Sequence, residues 1–129
     1  MTAAKVLIVD DEPEIINLIA AFLRRKGNYE VFFASSPQKA LEIIKDNPSI
    51  DLVISDVEMP GMRGQDLLRE IAQISRGTNF ILISGYVHEP QSLPIDIPFI
   101  RKPFTANDLL SAVRQVLSLR SVSRPMGEL

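Results

Sequence analysis

Five polar side chains follow short apolar runs in this sequence, at spacings that could build one reactive site. Asp10 and Asp11 follow the first run, Asp56 the third, Ser84 the fourth and Lys102 the fifth. If the runs are parallel strands, their carboxyl ends meet at one edge of a sheet, where such folds bind ligands. Three carboxylates gathered there repel one another unless a proton or a cation joins them. Oxygen ligands favour a hard ion, so we expect Mg²⁺, with Mn²⁺ as the alternative metal.

The same residues suggest phosphoryl transfer. Lys102 supplies a point charge suited to a phosphoryl group, and Ser84 supplies a hydroxyl donor. Catalysis of phosphoryl transfer consists mostly of positioning the reactants and neutralising their charge. The segment 61–64 (GMRG) matches neither GxxxxGK[ST] nor GxGxxG, so a nucleotide site is not expected.

The elements that would position these residues alternate regularly along the chain. Apolar runs at 6–9, 31–34, 52–54, 80–83 and 99–100 are too short for helices and rich in β-branched or aromatic residues, which is typical of strands covered on both faces. Amphipathic stretches separate them and predict helices from Pro13 to Gly27, from Ser36 to Asn47, around 67–74 and after Thr105. Thr105 and Asp108 have the spacing of a capping box.

This alternation predicts a single α/β domain with a doubly wound, open, parallel five-stranded sheet. Between the fourth and fifth strands, Pro90, Pro94 and Pro98 break the pattern, so we expect the helix there to be shortened or irregular. The domain is predicted to cover 1–120, with 121–129 as a flexible C-terminal tail or the start of a linker.

Composition excludes several classes of protein. The 129 residues include no cysteine, which rules out disulfide scaffolds, Cys-ligated metals and a Cys nucleophile. The formal net charge of −2 supplies no field for nucleic-acid binding. No apolar run approaches the length of a membrane span, and the N-terminal apolar stretch is too short for a signal peptide. We therefore expect a cytoplasmic protein without direct contact to nucleic acid or membrane.

Four motifs in order, VLIVDDE, LVISDVEMPGMRG, ILISGY and PFIRKPF, resemble the receiver domain of two-component response regulators, including its chemotaxis members. The resemblance covers about residues 5–119. It implies a flavodoxin-like strand order, 2-1-3-4-5. It also implies that Asp56 accepts a phosphoryl group from the phosphohistidine of a histidine kinase or histidine phosphotransfer protein, in a two-component system or phosphorelay.

The resemblance further implies how the site is divided among its residues. Asp11 would bind Mg²⁺ directly and Asp10 through water, and Asp56 and the backbone carbonyl of Glu58 would complete the protein ligands. Lys102 would contact the phosphoryl group. Such a domain catalyses only its own phosphorylation and dephosphorylation, and its acyl phosphate is labile, as a decaying signal requires.

Further residues carry switching roles by the same resemblance. Ser84 would follow the phosphoryl group after transfer, and Phe99 would be a rotating aromatic switch. Gly85 would keep the approach to Asp56 open, and Pro103 is the candidate for a cis peptide bond.

Two more residues would flank the phosphoryl group. Glu58 and Tyr86 each lie two positions after a residue of the site, Asp56 and Ser84 respectively. An acid and a bulky ring there would hinder an attacking water. We therefore expect a longer phosphoryl lifetime than in a variant carrying Glu58→Asn and Tyr86→Ala.

Simpler interpretations of single residues stay open. Asp10 and Asp11 could cap the first helix, Ser84 could bond to a turn, Lys102 could lie on the surface and Phe99 could belong to the core. His88 is the one histidine, but a proline-flanked loop is a poor place for a phosphohistidine.

Other functions are also compatible with parts of the pattern. A small phosphatase-like hydrolase with an Asp nucleophile would need DxDx[TV] after the first strand, where the chain has Asp10-Asp11-Glu12-Pro13. A degenerate receiver would bind partners without phosphorylation, and a flavin-binding sheet would need a hydroxyl-rich loop. The shortened helix argues against the dimer of DNA-binding regulators, so we expect a monomer or a weak dimer that does not use an intact face of that helix. It also resembles the receivers of hybrid histidine kinases, which suggests a relay or phosphate-sink role.

Overall fold

The computed structural model describes residues 3–27, 29–85 and 97–127. Within them the chain forms a five-stranded sheet in the order β2-β1-β3-β4-β5, and every strand pair is parallel. The fold class and strand order expected from the sequence are therefore confirmed. The strands are β1 (Ala4–Val9), β2 (Tyr29–Ala34), β3 (Leu52–Asp56), β4 (Asn79–Ser84) and β5 (Phe99–Arg101).

The described part of the chain contains four helices, and two of them begin at local sequence signals. Ser36 begins the second helix by accepting a hydrogen bond from the Lys39 backbone N–H at 3.2 Å. Thr105 and Asp108 exchange side-chain-to-backbone hydrogen bonds of 3.0 Å, so the predicted capping box is confirmed. The helices are α1 (Pro13–Lys26), α2 (Pro37–Asp46), α3 (Gly64–Ile74) and α4 (Ala106–Gly127).

Both faces of the sheet are covered, which explains why the strands are continuous apolar runs. Val6 and Ile8 of β1 point into a core shared with α1 and α4. Leu7 and Val9 point the other way, into a core shared with α2 and α3. Strand side chains alternate between faces, so each layer of helices receives every second residue.

This arrangement brings the carboxyl ends of the strands to one edge. In the register of β3 with β4, Asp56 lies beside Ile83, and in that of β4 with β5, Ser84 lies beside Arg101. Because β3 lies in the middle of the sheet, its last residue is flanked on both sides by neighbouring strand ends.

Two predictions concern the segment between β4 and β5 and the C-terminal end of the chain. The proline-containing segment 86–96, predicted to hold a shortened helix, lies outside the described residues. Helix α4 continues to Gly127, past the domain end predicted at residue 120. The division into a domain and a tail stays a prediction.

In the described part of the chain, no helix combines the length and the apolar character that crossing a membrane requires.

Candidate functional site

Asp56 occupies the centre of the candidate site as the last residue of β3. Its side chain is largely buried, and both carboxylate oxygens are engaged. Oδ1 accepts a hydrogen bond from the backbone N–H of Glu58 at 3.0 Å, and Oδ2 accepts one from Lys102 Nζ at 3.1 Å. The two contacts hold the carboxylate in one orientation, facing the cleft.

The loop after β3 depends on two glycines. Gly61 has a φ of +89°, a conformation that side chains other than glycine rarely adopt. At Gly64, a Cβ would collide with the backbone carbonyl oxygen of Asp56. The Gly64 N–H donates to the carbonyl of Val57 at 2.8 Å, which closes the loop onto the end of β3. The start of α3 therefore packs directly against the backbone that carries Asp56.

Asp10 and Asp11 lie on the turn after β1 and differ in exposure. Asp10 is 1% exposed and Asp11 is exposed. Asp10 Oδ1 accepts a hydrogen bond from the Glu12 backbone N–H at 2.9 Å, whereas Oδ2 is buried without a hydrogen-bond donor among the described residues. The net effect of its surroundings raises the pKa of Asp10 from 3.8 to about 6, and burial is the largest cause. The Glu12 N–H and the charge of Lys102 lower this pKa, whereas the charges of Asp56 and Asp11 raise it.

The three aspartates form a donor set that fits a hard divalent cation. One carboxylate oxygen from each of Asp10, Asp11 and Asp56 lies within 4.8 Å of the others. All the donors are oxygens, as Mg²⁺ and Mn²⁺ require. The buried Asp10 Oδ2 accepts no hydrogen bond from the described residues, and a bound cation would supply a close partner for it. The residues present therefore fit the expected metal.

Lys102 follows β5, and its ammonium group lies near three acids of the site. Its Nζ lies 3.1 Å from Asp56 Oδ2, 3.4 Å from Glu12 Oε1 and 3.8 Å from Asp10 Oδ2. Burial lowers the pKa of Lys102, but the hydrogen bond and charge of Asp56, with Asp10 and Glu12, outweigh it and raise the pKa. The Lys102 backbone N–H donates to the Ser84 carbonyl at 2.8 Å, and the Lys102–Pro103 peptide bond is cis. The lysine is an integral part of the site, and the surface alternative does not describe it.

These residues line an open cleft of about 490 Å³ at the carboxyl edge of the sheet. A Cβ at Gly85 would meet Lys102 Cδ at 3.6 Å, an ordinary contact. The lining residues are Asp11, Glu12, Asp56, Glu58, Gly85 and Lys102.

The expected switch residues lie on the neighbouring strands. Ser84 is buried at the end of β4. Phe99, at the start of β5, is 41% exposed, so its ring is not enclosed in the core. Their switching roles stay predictions. Tyr86 and His88 lie outside the described residues.

One contact of the site has no signal in the sequence. Glu12 follows the paired aspartates, and nothing in its spacing links it to Lys102. Its carboxylate nevertheless contacts Lys102, 90 residues away. Only the pairing of β5 with β4 brings the lysine over the turn after β1.

Comparison with known proteins is consistent with this geometry. The family profile described as "Response regulator receiver domain" matches residues 6–114. Sensor kinase CckA of Brucella abortus (strain 2308) is 37% identical over 120 residues, which are 89% of this chain but 13% of that protein. Sporulation initiation phosphotransferase F of Bacillus subtilis (strain 168) is 32% identical over 127 residues, 94% of this chain and 99% of that protein.

Solved structures share the whole architecture. The crystal structure of a response regulator receiver domain protein from Clostridium thermocellum matches with a TM-score of 0.83 and 35% sequence identity. The match covers 92% of this chain and 98% of that one. The likeness extends over nearly the full length of both chains.

Proposed function

This chain belongs to the family of response regulator receiver domains of two-component systems, and from that premise we propose that it is a Mg²⁺-dependent phosphoacceptor switch. Asp56 receives a phosphoryl group from the phosphohistidine of a histidine kinase or a histidine phosphotransfer protein. Phosphorylation then changes the surface presented to a partner. Receiver domains are signalling modules, so the proposed chemistry is confined to the gain and loss of this one group.

The proposed transfer exchanges one bond to phosphorus for another. A carboxylate oxygen of Asp56 forms a bond to phosphorus while the phosphorus–nitrogen bond of the phosphohistidine breaks. With a proton on the other ring nitrogen of the phosphohistidine, the departing nitrogen keeps the electron pair and the ring leaves as neutral imidazole. The Lys102 ammonium, 3.1 Å from Asp56 Oδ2, offsets negative charge on the phosphoryl oxygens, and the Ser84 hydroxyl contacts the group after transfer.

Asp10, Asp11 and Asp56, with the backbone carbonyl of Glu58, would hold the metal. When bound, Mg²⁺ supplies positive charge that neutralises the carboxylates and the phosphoryl oxygens. The chain's own residues orient the nucleophile, since the Glu58 N–H and Lys102 Nζ fix the two oxygens of Asp56.

The observation that carries this proposal is the position of the Asp56 carboxylate. It lies in an open cleft and accepts a hydrogen bond from Lys102 at 3.1 Å. One of its oxygens lies within 4.8 Å of oxygens of two other carboxylates. The degenerate-receiver alternative is less well supported because the chain carries each residue type that the family resemblance assigns to phosphorylation.

The test is formation of a phosphate adduct. With Mg²⁺ and acetyl phosphate, intact-protein mass spectrometry should detect one phosphoryl group per chain, and Asp56→Ala should abolish it. Asp46→Ala removes an exposed aspartate at the end of α2 and should leave the adduct unchanged.

The other outcomes separate the alternatives. Continuous turnover of phosphoesters without a stable adduct would favour the phosphatase-like hydrolase. No adduct in the wild-type chain would favour the degenerate receiver and contradict the proposal.

The biological setting is proposed on the same basis. One curated relative is a sensor kinase and another a phosphotransferase, which supports a place in a two-component system or phosphorelay. Because the chain spans 13% of the sensor kinase, the activity of that whole protein is not transferred to it. We propose a cytoplasmic monomer or weak dimer without direct contact to nucleic acid.

A further inference from the structure

Glu12 makes a contact that its own helix does not need. Glu12 is the N-cap of α1, and its side chain makes no hydrogen bond to the first helical turn. Pro13 follows it and has no N–H to satisfy. The carboxylate instead extends to Lys102 Nζ, at 3.4 Å.

This contact divides one ammonium group among three acids. Of the carboxylates that contact Lys102 in the described part of the chain, the Glu12 side chain is 57% exposed, against 9% for Asp56 and 1% for Asp10. Glu12 is thus the outermost partner, at the mouth of the cleft. A phosphoryl group bound next to Asp56 and Lys102 would therefore lie close to this carboxylate.

Glu12 opposes an incoming anion in two ways. Its negative charge repels phosphoryl oxygens, and the repulsion grows with the charge of the donor molecule. It also occupies Lys102, the group that those oxygens would contact. Glu58 lines the same cleft, and its backbone N–H donates a hydrogen bond to Asp56.

We propose that Glu12 is a specificity-determining residue that selects phosphodonors by charge, admitting donors of low negative charge over small dianions. This inference rests on the proposed phosphoacceptor function and extends it to the choice of donor. A protein phosphohistidine can bring compensating positive charge to the mouth of the cleft, whereas a free dianion cannot.

Two small donors test the charge dependence directly. At neutral pH acetyl phosphate is a dianion and phosphoramidate a monoanion. In each reaction an Asp56 oxygen bonds to phosphorus; acetate leaves from the first donor, and ammonia leaves from the second as the phosphorus–nitrogen bond breaks. The rate of adduct formation is measured by intact mass against donor concentration, with Mg²⁺ present.

The expected result is a change in donor preference. Glu12→Gln should raise the rate with acetyl phosphate relative to phosphoramidate by about three- to tenfold, mainly through a lower KM, because one unit charge is removed a few ångströms from the donor. The gain should shrink in high salt, which screens exposed charges.

Two further variants isolate the effect of this carboxylate. Glu14→Gln removes the same charge from an exposed position on the first turn of α1, outside the residues that line the cleft, and should keep the wild-type donor ratio. Glu12→Asp keeps the charge at the mouth and should also stay within about twofold of the wild-type ratio.

The outcomes distinguish this inference from the proposed function. An unchanged donor ratio in Glu12→Gln, an equal shift in Glu14→Gln, or loss of the adduct in Glu12→Gln would overturn the role of Glu12. Failure of the wild-type chain to form an adduct with either donor would instead overturn the phosphoacceptor proposal itself.

Discussion

At the scale of single residues, the site holds its acids at a cost to the fold. Asp10 is almost fully buried, and one of its oxygens receives no hydrogen bond from the described residues. Burial raises its pKa to about 6 from 3.8, so the folded chain binds a proton more tightly than the unfolded chain does. Stability therefore falls as pH rises from about 4 to about 6, and the full penalty persists above that range.

Asp10→Asn should relieve this penalty. Without divalent cations, the free energy of unfolding near pH 7.5 should rise by up to about 3 kcal/mol, the value of a pKa difference of about two units. Near pH 3.5 the gain should almost vanish, because Asp10 is then protonated in both states. Urea unfolding at the two pH values, in the presence of a chelator, measures the difference.

Asp66→Asn, an exposed change on α3, serves as the control for this measurement and should show no such pH dependence. An equal gain at both pH values would mean that the buried charge is not its source.

At the scale of elements, the loop between β3 and α3 links Asp56, the proposed phosphoacceptor, to a helix. Gly64 lies against the Asp56 carbonyl, where a Cβ would collide with backbone atoms that cannot rotate away. Gly61 has open space around it but a φ of +89°. The two glycines are needed for different reasons, one for packing and the other for backbone conformation.

Gly64→Ala should therefore disturb the site, and Gly61→Ala should not. We expect Gly64→Ala to lower the free energy of unfolding by about 1–3 kcal/mol through overpacking and to slow adduct formation on Asp56. Gly61→Ala should cost about 1–2 kcal/mol, from backbone strain alone, and keep the wild-type rate. Denaturant unfolding and the mass assay measure both effects; equal rates in the two variants would contradict the packing role of Gly64.

At the scale of the whole molecule, the candidate metal site forms only when the fold is complete. Asp10 and Asp11 come from the turn after β1 and Asp56 from the end of β3, so an unfolded chain cannot bring their oxygens together. A cation that binds this set stabilises the folded state by mass action.

Mg²⁺ should accordingly raise the melting temperature. At a concentration about 100 times its Kd the stabilisation is about 2.7 kcal/mol, which differential scanning fluorimetry detects as a shift of several degrees. Asp11→Ala should remove most of the shift, whereas Glu14→Gln should retain it. A shift of the same size in Asp11→Ala would place the cation elsewhere.

Much of the architecture was predictable from local patterns. Apolar runs of strand length predict the strands because both faces of the sheet are buried, and Ser36 and the pair Thr105 and Asp108 predict helix starts through their caps. The end of β3 was less predictable. Ser55 and Asp56 are polar and interrupt the apolar run. They still belong to β3 because they pair with Leu82 and Ile83 of β4, a tertiary contact that no local pattern predicts.

The sequence by itself determined which residues follow the strands, and hence that Asp10, Asp11, Asp56 and Lys102 share one edge. Alternation of strands and helices specifies a parallel sheet, and a parallel sheet collects its carboxyl ends. The burial of Asp10 and the contact between Glu12 and Lys102, which are 90 residues apart in the sequence, follow from tertiary packing alone. Burial and side-chain distances depend on how separate elements pack, and no local pattern of residue types encodes that packing.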